Sequence, residues 1–335
     1  MKTIRYWTSH NNKSSAYWKN WFAATSSVAC PLELEFMYDE ETPDYLFATE
    51  HIYFIARRYR EFVRLNNGCR VSVFVGGEAI SPDMNLFDYA YSFDKKLVNG
   101  DRCVRMPPCL FFKHHIFTPL TEGCKNVAAE LKSKTGFCNF IYSNPSAHPR
   151  RDQLFYAISR YRQVDSLGPH LNNRGNRTSR TSDNWRKILV EMKRPYKFSI
   201  AAENACYDGY VTEKLISSFQ AHTIPIYWGS PSVAEEFNPK AFINANELSD
   251  EELIATVKDI DANDNLWCEM ASQPAMTNEQ QERFIVESDQ FIKFSAAIFD
   301  SRPLEEKKRV PTGYWNDIYK RSLTSELRMP KWLRF

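Results

Sequence analysis

The sequence predicts an α/β fold made of two successive domains, each built on a parallel β-sheet. Apolar segments typical of strands alternate with amphipathic segments typical of helices, and this alternation occurs twice along the chain. Between the two series, at about 95–136, prolines and glycines interrupt the periodic pattern. A length of 335 residues fits one large domain or two medium ones, and the two series favour two. We therefore predict domains at 1–135 and 136–300, followed by a tail at 301–335.

The first series starts with a strand and an aromatic helix. The helix, predicted at 14–25, carries Tyr17, Trp18, Trp21 and Phe22 at helical spacing. Strands are predicted at 3–9, 32–37, 45–49, 71–75 and 88–93, and a second helix at 52–65. Because strands alternate with helices, we expect the sheet to be parallel.

The second series repeats this organisation toward the end of the chain. Its strands are predicted at 137–142, 164–165, 196–201, 223–227 and 241–244. Its helices are predicted at 152–162, 184–193, 210–221, 232–237, 249–260 and 280–297, and one short helix is predicted at 127–132 in the linker before it. Ser249 and Glu252 have the spacing of a capping box at the start of one of them. Ligands of such folds bind at the carboxyl ends of the parallel strands, so we expect the binding site in the cleft between the domains.

The composition excludes several classes of protein. Lys and Arg number 43 against 41 Asp and Glu, which gives no general reason to propose nucleic acid as a partner. The eight cysteines form no Cys-x-x-Cys pair and no Cys/His cluster at zinc spacing, so we interpret them as reduced thiols; a Cys103–Cys109 disulfide is the alternative. The first residues lack the apolar core of a signal peptide, and no apolar run approaches the roughly 20 residues that cross a bilayer. We therefore expect a cytoplasmic protein.

The tail at 301–335 is basic, with nine Lys and Arg against four Asp and Glu. Trp315, Ile318, Tyr319 and Leu323 form an apolar stripe at helical spacing within it. Such a segment either docks on the body of the protein or lies on an anionic membrane surface. Peripheral contact with the inner membrane through this tail is therefore one of two open interpretations.

The segment 197–216 is predicted as a strand, a glycine turn and a helix. Tyr210, Glu213 and Lys214 stand at positions i, i+3 and i+4 and would share one face of the first helical turn. Unpaired N–H groups and the helix dipole attract anions at such a start, and Lys214 adds a full positive charge. A nucleotide diphosphate would fit this arrangement. The alternative is a surface helix in which Glu213 and Lys214 are solvated beside a buried Tyr210.

Further polar residues follow predicted strands. They are Glu78 in the first domain and Ser143, Asn144, Arg151, Glu203 and Asn204 in the second. Together they suit group transfer from a nucleotide sugar, in which a carboxylate takes a proton from the attacking hydroxyl and cations stabilise the departing diphosphate. The Asp-x-Asp element at 259–261 lies at a predicted helix end, so we predict no metal site. The alternatives are an exposed loop acid for Glu78 and a solvated basic pair for Arg150 and Arg151.

Several longer motifs occur between residues 71 and 243. They are Glu-Asn at 203–204, Gly-Tyr-Val-Thr-Glu-Lys at 209–214, His-Thr-Ile-Pro-Ile-Tyr-Trp-Gly-Ser-Pro-Ser-Val-Ala at 222–234 and Phe-Asn-Pro-Lys at 237–240, with Gly-Glu at 77–78 and Ser-Asn-Pro at 143–145 in support. In these motifs the sequence closely resembles the α1,3/4-fucosyltransferase family, especially its bacterial members of the Helicobacter type. The resemblance implies a GT-B fold, with two Rossmann-like domains facing across a cleft. It also implies inverting transfer of L-fucose from GDP-fucose to N-acetylglucosamine in a β-galactoside such as N-acetyllactosamine.

The resemblance further implies roles for the matching residues. Glu78 matches the general base, Arg151 and Lys214 the residues that hold the diphosphate, Glu213 a contact to the ribose, and Asn144, Asn204 and Tyr210 residues of the donor pocket. The loop after Ser-Asn-Pro is one residue longer than in the family and offers Arg150 as well as Arg151. We choose Arg151 because it restores the family spacing to Tyr161. Ala202 replaces the usual phenylalanine before Glu203.

We therefore expect an α1,3-fucosyltransferase that requires no cofactor or metal, with stimulation by Mn²⁺ left open. Its expected partners are GDP-fucose and an N-acetyllactosamine-type glycan of lipopolysaccharide, modified from the cytosolic side to a Lewis x-like product. Nucleic acid is not an expected partner. The alternatives are a GT-B glycosyltransferase with a different nucleotide sugar and a non-catalytic protein that binds a glycan or a nucleotide.

Overall fold

The structure, a computed structural model, describes residues 2–24, 34–66, 71–97, 101–105, 122–175 and 185–300. It divides into two compact units: unit 1 consists of Met1–Met106 and Glu287–Phe335, and unit 2 of Pro107–Val286. This division differs from the domains that we predict at 1–135 and 136–300, since the first boundary lies earlier and the end of the last helix belongs to unit 1. The predicted tail at 301–335 lies outside the described residues.

Unit 1 contains a parallel sheet of six strands. They are β1 (Lys2–Thr8), β2 (Leu34–Tyr38), β3 (Tyr45–Ala48), β4 (Val71–Val75), β5 (Tyr89–Ser92) and β6 (Cys103–Arg105), in the order β2-β1-β3-β4-β5-β6 across the sheet. All five residues of β4 are buried, as expected for a central strand of a parallel sheet. Strand β6 lies in the segment that we predict as linker, because a strand of three residues is too short to give a periodic pattern.

Among the described residues of unit 1, three helices precede β5. They are α1 (Ser15–Ala24), α2 (His51–Phe54) and α3 (Ala56–Leu65). The single helix that we predict after β3 is split, because Ile55 is extended (φ −116°, ψ 97°). Helix α1 packs its aromatic face on the sheet, with the rings of Trp18 and Phe47 5.1 Å apart and those of Phe22 and Phe36 5.3 Å apart.

Unit 2 contains a second parallel sheet, of five strands. They are β7 (Gly136–Phe140), β8 (Val164–Ser166), β9 (Tyr196–Ala202), β10 (Ile224–Trp228) and β11 (Ile243–Asn244), in the order β11-β10-β9-β7-β8. Strand β9 is central and pairs with β7 on one side and β10 on the other. The prediction of two parallel-sheet α/β regions is therefore confirmed.

The remaining helices follow β6 in the chain. They are α4 (Val127–Ser133), α5 (Arg150–Ser159), α6 (Trp185–Lys193), α7 (Glu213–Gln220), α8 (Val233–Glu236), α9 (Asp250–Ala262), α10 (Asp264–Ser272) and α11 (Asn278–Asp300). The predicted capping box at the start of α9 is present, with Ser249 and Glu252 bonded reciprocally. Helix α10 was not predicted. Its N-cap is Asn263, in a polar segment that we interpret only as the end of the preceding helix.

The core of unit 2 lies on both faces of its sheet. On one face, Phe198 and Ile200 of β9 pack with Leu154 of α5 and with apolar residues of α9 and α10. On the other face, Ala201 packs with Leu215 and other apolar residues of α7 and α8. Alternate residues of β9 therefore anchor opposite layers, which fixes the end of this strand relative to the start of α7.

Candidate active site

Helix α7 begins later than we predict. Thr212 has an extended backbone (φ −119°, ψ −172°) and is the N-cap, its hydroxyl accepting a hydrogen bond from the Lys214 backbone N–H. Gly209, at φ 82°, forms the turn before it. The prediction that Tyr210, Glu213 and Lys214 share the first helical turn is therefore wrong, because Tyr210 precedes the cap.

Tyr210 belongs to the core rather than to the helix start. It is 1% exposed, and its backbone carbonyl accepts a hydrogen bond from the Tyr227 hydroxyl (3.4 Å). The buried tyrosine of the surface-helix alternative is thus present. The solvated lysine of that alternative is not, because the Lys214 side chain is only 13% exposed.

Glu203, directly after β9, connects the strand to the start of α7. Its buried carboxylate accepts hydrogen bonds from the Thr212 backbone N–H (2.7 Å), the Thr212 hydroxyl (2.7 Å) and the Lys214 ammonium (3.0 Å). Burial raises the pKa of Glu203, and the Lys214 charge opposes this change. No separate role is predicted for Glu203 from the sequence. Its position beside Asn204, after a buried strand, was the available signal.

The Lys214 ammonium is the cationic partner of Glu203. It donates to Glu203 and to the Thr212 hydroxyl (2.9 Å), and it lies 3.8 Å from the Glu213 carboxylate. Burial acts to lower the pKa of Lys214, but the charges of Glu203 and Glu213 raise it above the ordinary value. The side chain therefore carries a full positive charge at neutral pH, in a position fixed by its partners.

Arg151, the second residue of α5, is a buried cation at the end of the same sheet. Its guanidinium donates to Asn204 Oδ1 (2.5 Å), to the Ala202 carbonyl (3.3 Å) and to the Asn144 carbonyl (3.5 Å). It also lies over the Tyr142 ring, 4.2 Å from the centroid. Within the described part of the chain, its Nε–H has no hydrogen-bond partner. Arg151 therefore keeps donor capacity that the protein does not use.

The two neighbouring arginines have different surroundings. Arg150 donates to Asp250 at the start of α9 (2.5 Å), whereas Arg151 contacts Asn204 at the end of β9. The solvated-pair alternative is wrong for Arg151, which is 1% exposed. Asn144 is exposed, and its side chain accepts from the Ser146 backbone N–H rather than from Arg151. Only its carbonyl takes part in the arginine contact.

A pocket lies beside the start of α7, at the carboxyl ends of β7, β8 and β9. Its polar wall contains Glu213, Lys214 and Lys193, and its apolar wall contains Trp185 and Ile188 of α6. The remaining lining residues come mostly from the strand ends: Ile141, Tyr142, Ser143, Gly168, Pro169, Leu189, Met192 and Ile200. An apolar wall beside fixed charges suits a ligand with a flat ring and an anionic group.

Lys193, the last residue of α6, was missed by the sequence analysis. It is 4% exposed, and burial lowers its pKa to about 7. Nothing in its pattern signalled this, because a lysine at a helix end next to Arg194 is ordinarily solvated.

In unit 1 the proposed base lies on the loop after β4. Glu78 is exposed, as the loop-acid alternative expects, and it follows two glycines. The Gly77 backbone N–H donates to the carboxylate of Glu50 (3.3 Å), a buried residue after β3 that the sequence analysis missed. Burial raises the pKa of Glu50, and the negative charge of Glu78 adds to this increase. Two carboxylates therefore interact at this edge of the sheet.

Imidazole and aromatic rings lie at the same edge of unit 1. His51 is hydrogen-bonded to Thr49 (2.7 Å), and its ring is 5.6 Å from that of His10. His10 stacks on Tyr17 of α1, with ring centroids 4.9 Å apart. This edge therefore combines acids with flat rings, which are suited to contacts with sugars.

The described residues contain neither a metal-binding cluster nor a membrane-spanning helix. No group of three or more His, Cys, Asp or Glu side chains in these ranges is arranged to hold a metal ion. Among the helices that the structure describes, none is long and apolar enough to cross a membrane. Cys103 is a free thiol, and Cys109 lies outside the described residues.

Comparisons with known proteins agree with the predicted resemblance. Residues 131–283 match glycosyltransferase family 10 (fucosyltransferase), C-terminal part. The chain is 32% identical over 267 residues to the α-(1,3)-fucosyltransferase FucT of Helicobacter pylori, which covers 71% of the chain and 53% of that protein. It is 26% identical over 247 residues to the GDP-fucose protein O-fucosyltransferase 3 of Bos taurus, which covers 62% of the chain and 51% of that protein.

The fold is also similar to that of a solved enzyme. The crystal structure of an α1,3-fucosyltransferase with GDP-fucose superposes with a TM-score of 0.65 and 25% identity, covering 87% of this chain and 90% of that chain. The predicted GT-B fold class is confirmed by this similarity. The chain spans about half the length of the two relatives from Helicobacter pylori and Bos taurus.

Proposed function

We propose that the protein is a fucosyltransferase that uses GDP-fucose, because residues 131–283 match the C-terminal part of glycosyltransferase family 10 (fucosyltransferase). In the proposed reaction it transfers L-fucose, with inversion, to the 3-hydroxyl of N-acetylglucosamine in N-acetyllactosamine-type glycans. The observation that carries the proposal is the pair of cations at the sheet edge of unit 2, the buried Arg151 and the partly buried Lys214.

The donor is proposed to bind in the pocket of unit 2. Lys214 provides a fixed point charge for the diphosphate, and Arg151 provides a planar guanidinium with an unused Nε–H. Glu213 lines the pocket and is suited to accept hydrogen bonds from ribose hydroxyls. Trp185 and Ile188 provide an apolar wall for the base. Tyr210 and Asn204 support the donor site indirectly. Tyr210 packs in the core, and Asn204 accepts a hydrogen bond from Arg151.

Glu78 is proposed as the general base of the reaction. The acceptor hydroxyl oxygen attacks the anomeric carbon of fucose as the bond from that carbon to the phosphate oxygen breaks. The hydroxyl proton passes to Glu78, and the electron pair of the broken bond leaves with GDP. Arg151 and Lys214 stabilise the negative charge that develops on the departing diphosphate. A single displacement of this kind inverts the anomeric configuration.

The two cations are proposed to replace a divalent metal at the diphosphate. Positive charge that is already fixed needs no reorganisation when GDP departs. We therefore expect turnover to persist in EDTA, with any effect of Mn²⁺ limited to stimulation. An enzyme that is inactive in EDTA and restored by Mn²⁺ would contradict this part of the proposal.

The proposal also covers the acceptor and the cellular location of the protein. We favour a lipopolysaccharide glycan, modified in the cytoplasm to a Lewis x-like product, with the basic tail at 301–335 in contact with the inner membrane. The relative from Bos taurus is named as a protein O-fucosyltransferase, so a protein acceptor is the second candidate. Removal of 301–335 should abolish sedimentation with anionic vesicles but leave turnover on a soluble acceptor unchanged.

Turnover assays with panels of donors and acceptors test the proposed function. The donors are GDP-fucose, GDP-mannose, UDP-glucose and UDP-galactose; the acceptors are lactosamine of both chain types and a folded protein module. We expect transfer from GDP-fucose to the type 2 lactosamine, with an α1,3 linkage in the product. Transfer from a UDP-sugar would identify a different glycosyltransferase, and GDP binding without transfer to any acceptor would identify a binding protein.

A further inference from the structure

Helix α6 ends in a lysine that is buried against the start of α7. The ammonium of Lys193 donates to the Lys214 backbone carbonyl (3.1 Å), to Ser217 Oγ (2.8 Å) and to Ser218 Oγ (2.9 Å). An ammonium has three N–H donors, so these acceptors satisfy all of them. All three acceptors belong to the first two turns of α7, which Lys193 therefore ties to α6.

The same lysine lines the candidate donor pocket. Lys193, Glu213 and Lys214 form its charged wall, and Lys193 holds the backbone of the residue whose side chain contacts Glu203. A shift of the Lys214 backbone would move the Lys214 ammonium and the neighbouring Glu213 carboxylate together. The contact thus acts on both of the α7 residues that we propose for donor binding.

Stability alone does not explain a cation at this position. Removing an ammonium from water is costly, and well-packed apolar residues are often as stabilising as buried charged groups or more so. Lys193 is 4% exposed, and burial is the main cause of its lowered pKa. A buried and fully hydrogen-bonded ammonium in the wall of a binding pocket is more readily explained by function.

We propose that Lys193 is a positioning residue of the donor site, which fixes the first turn of α7 so that Glu213 and Lys214 meet a nucleoside diphosphate. The inference rests on the proposed function, because it concerns the same pocket. Lys193 acts through the α7 backbone rather than through the reacting atoms.

The charged groups around Lys193 make this role dependent on pH. Glu213 and Lys214 on α7 and Glu203 after β9 face it; the two carboxylates favour its charged form, and Lys214 opposes it. Burial outweighs these charges and lowers the pKa to about 7, from an ordinary value of 10.5. The charged form is the better donor to the Lys214 carbonyl and adds positive charge to the pocket. Donor binding should therefore weaken as pH rises through about 7.

The lowered pKa of Lys193 also predicts how the free energy of unfolding depends on pH. Because it is lower in the folded protein than in the unfolded chain, unfolding takes up a proton between pH 7 and 10.5. The free energy of unfolding of the wild type should therefore rise with pH across this window. A Lys193→Met protein should lack this rise.

Titration calorimetry of GDP at about pH 6 and pH 8.5 tests the inference on the full chain. We expect Lys193→Met to bind GDP about tenfold more weakly than wild type at pH 6, the effect of losing a charged hydrogen bond, with a smaller difference at pH 8.5. At each pH, GDP has the same ionisation state in the wild-type and the variant titration, so its own pKa cancels from the comparison of the two proteins. Lys187→Met is the matched control, because Lys187 is exposed on the same helix.

A second variant keeps the test decisive if Lys193→Met does not fold. Ser217→Ala/Ser218→Ala removes two acceptors of the ammonium and should also weaken GDP binding at pH 6. Folded variants of both kinds that bind GDP as wild type at each pH would overturn the inference. If the wild-type protein itself binds GDP, that result leaves the proposed function intact. A wild-type protein that does not bind GDP overturns the proposed function and this inference together.

Discussion

The two units carry their candidate residues at the same structural position but with opposite charge. In unit 1 the loops after β3 and β4 bring together the carboxylates of Glu50 and Glu78. In unit 2 the ends of the strands bring together the cations of Arg151 and Lys214. Parallel sheets offer the same edge for ligands in both cases, so the fold sets the position and the loop residues set the chemistry.

The units differ as well in how these side chains are held. In unit 2, Arg151 is buried and Lys214 is partly buried; both have hydrogen-bonded partners, and Glu203 is the countercharge of Lys214. In unit 1, Glu78 is exposed after two glycines, and the backbone N–H of the preceding Gly77 donates to the buried Glu50. Fixed cations suit binding of an anion, whereas an exposed carboxylate is accessible to the hydroxyl of an incoming acceptor.

The largest effect is expected from a variant that removes only the proposed base of unit 1. Glu78→Gln keeps the shape of the side chain but cannot accept a proton, so turnover should fall by about 10²- to 10⁴-fold. Glu40→Gln, also in unit 1 and 63% exposed, is the control and should turn over as wild type. A Glu78→Gln enzyme with wild-type kcat would remove Glu78 from the mechanism.

The largest loss of stability is expected when the ion pair between Glu203 and Lys214 in unit 2 is broken. Lys214→Met leaves the Glu203 carboxylate buried without its cation, which should cost about 3–5 kcal/mol of unfolding free energy. The double variant Glu203→Gln/Lys214→Met should recover most of that loss, because no charge is left unpaired. Since Glu203 then takes up a proton more readily, the single variant should regain stability as pH falls. Urea denaturation of the three proteins gives the coupling energy, and additive effects would argue against the pair.

The neighbouring arginines provide a smaller, matched comparison within unit 2. Arg151→Lys loses the planar guanidinium at the strand ends and should weaken GDP binding by about tenfold. Arg150→Lys, in the ion pair with Asp250, should bind GDP as wild type. Equal losses in the two variants, measured by calorimetry, would show that Arg151 has no special place in the donor site.

Much of the fold followed from the sequence because local signals were strong. The buried run of β4 and the capping box of α9 were predicted with nearly the observed bounds. Strand β6 and the break at Ile55 were not, because one is too short for a pattern and the other depends on backbone conformation alone. The division into units differs from the predicted domain bounds, since the end of α11 belongs to unit 1.

The candidate site was predicted less completely than the fold. Arg151 and Lys214 followed from motif and resemblance, and the structure places both at the sheet edge of unit 2. Glu203, Glu50 and Lys193 were not assigned roles, because their importance comes from burial against residues distant in sequence. Periodicity indicates which face of a helix is apolar, but it does not indicate which charged residue is enclosed by the next layer.

Titration calorimetry of GDP into two altered proteins tests the central claim most directly, that unit 2 binds the donor and unit 1 supplies the base. We predict that Glu78→Gln binds GDP as wild type, whereas Glu203→Gln/Lys214→Met, which retains its fold, binds at least about tenfold more weakly. Wild-type affinity in the double variant, or loss of GDP binding in Glu78→Gln, would contradict this division of roles.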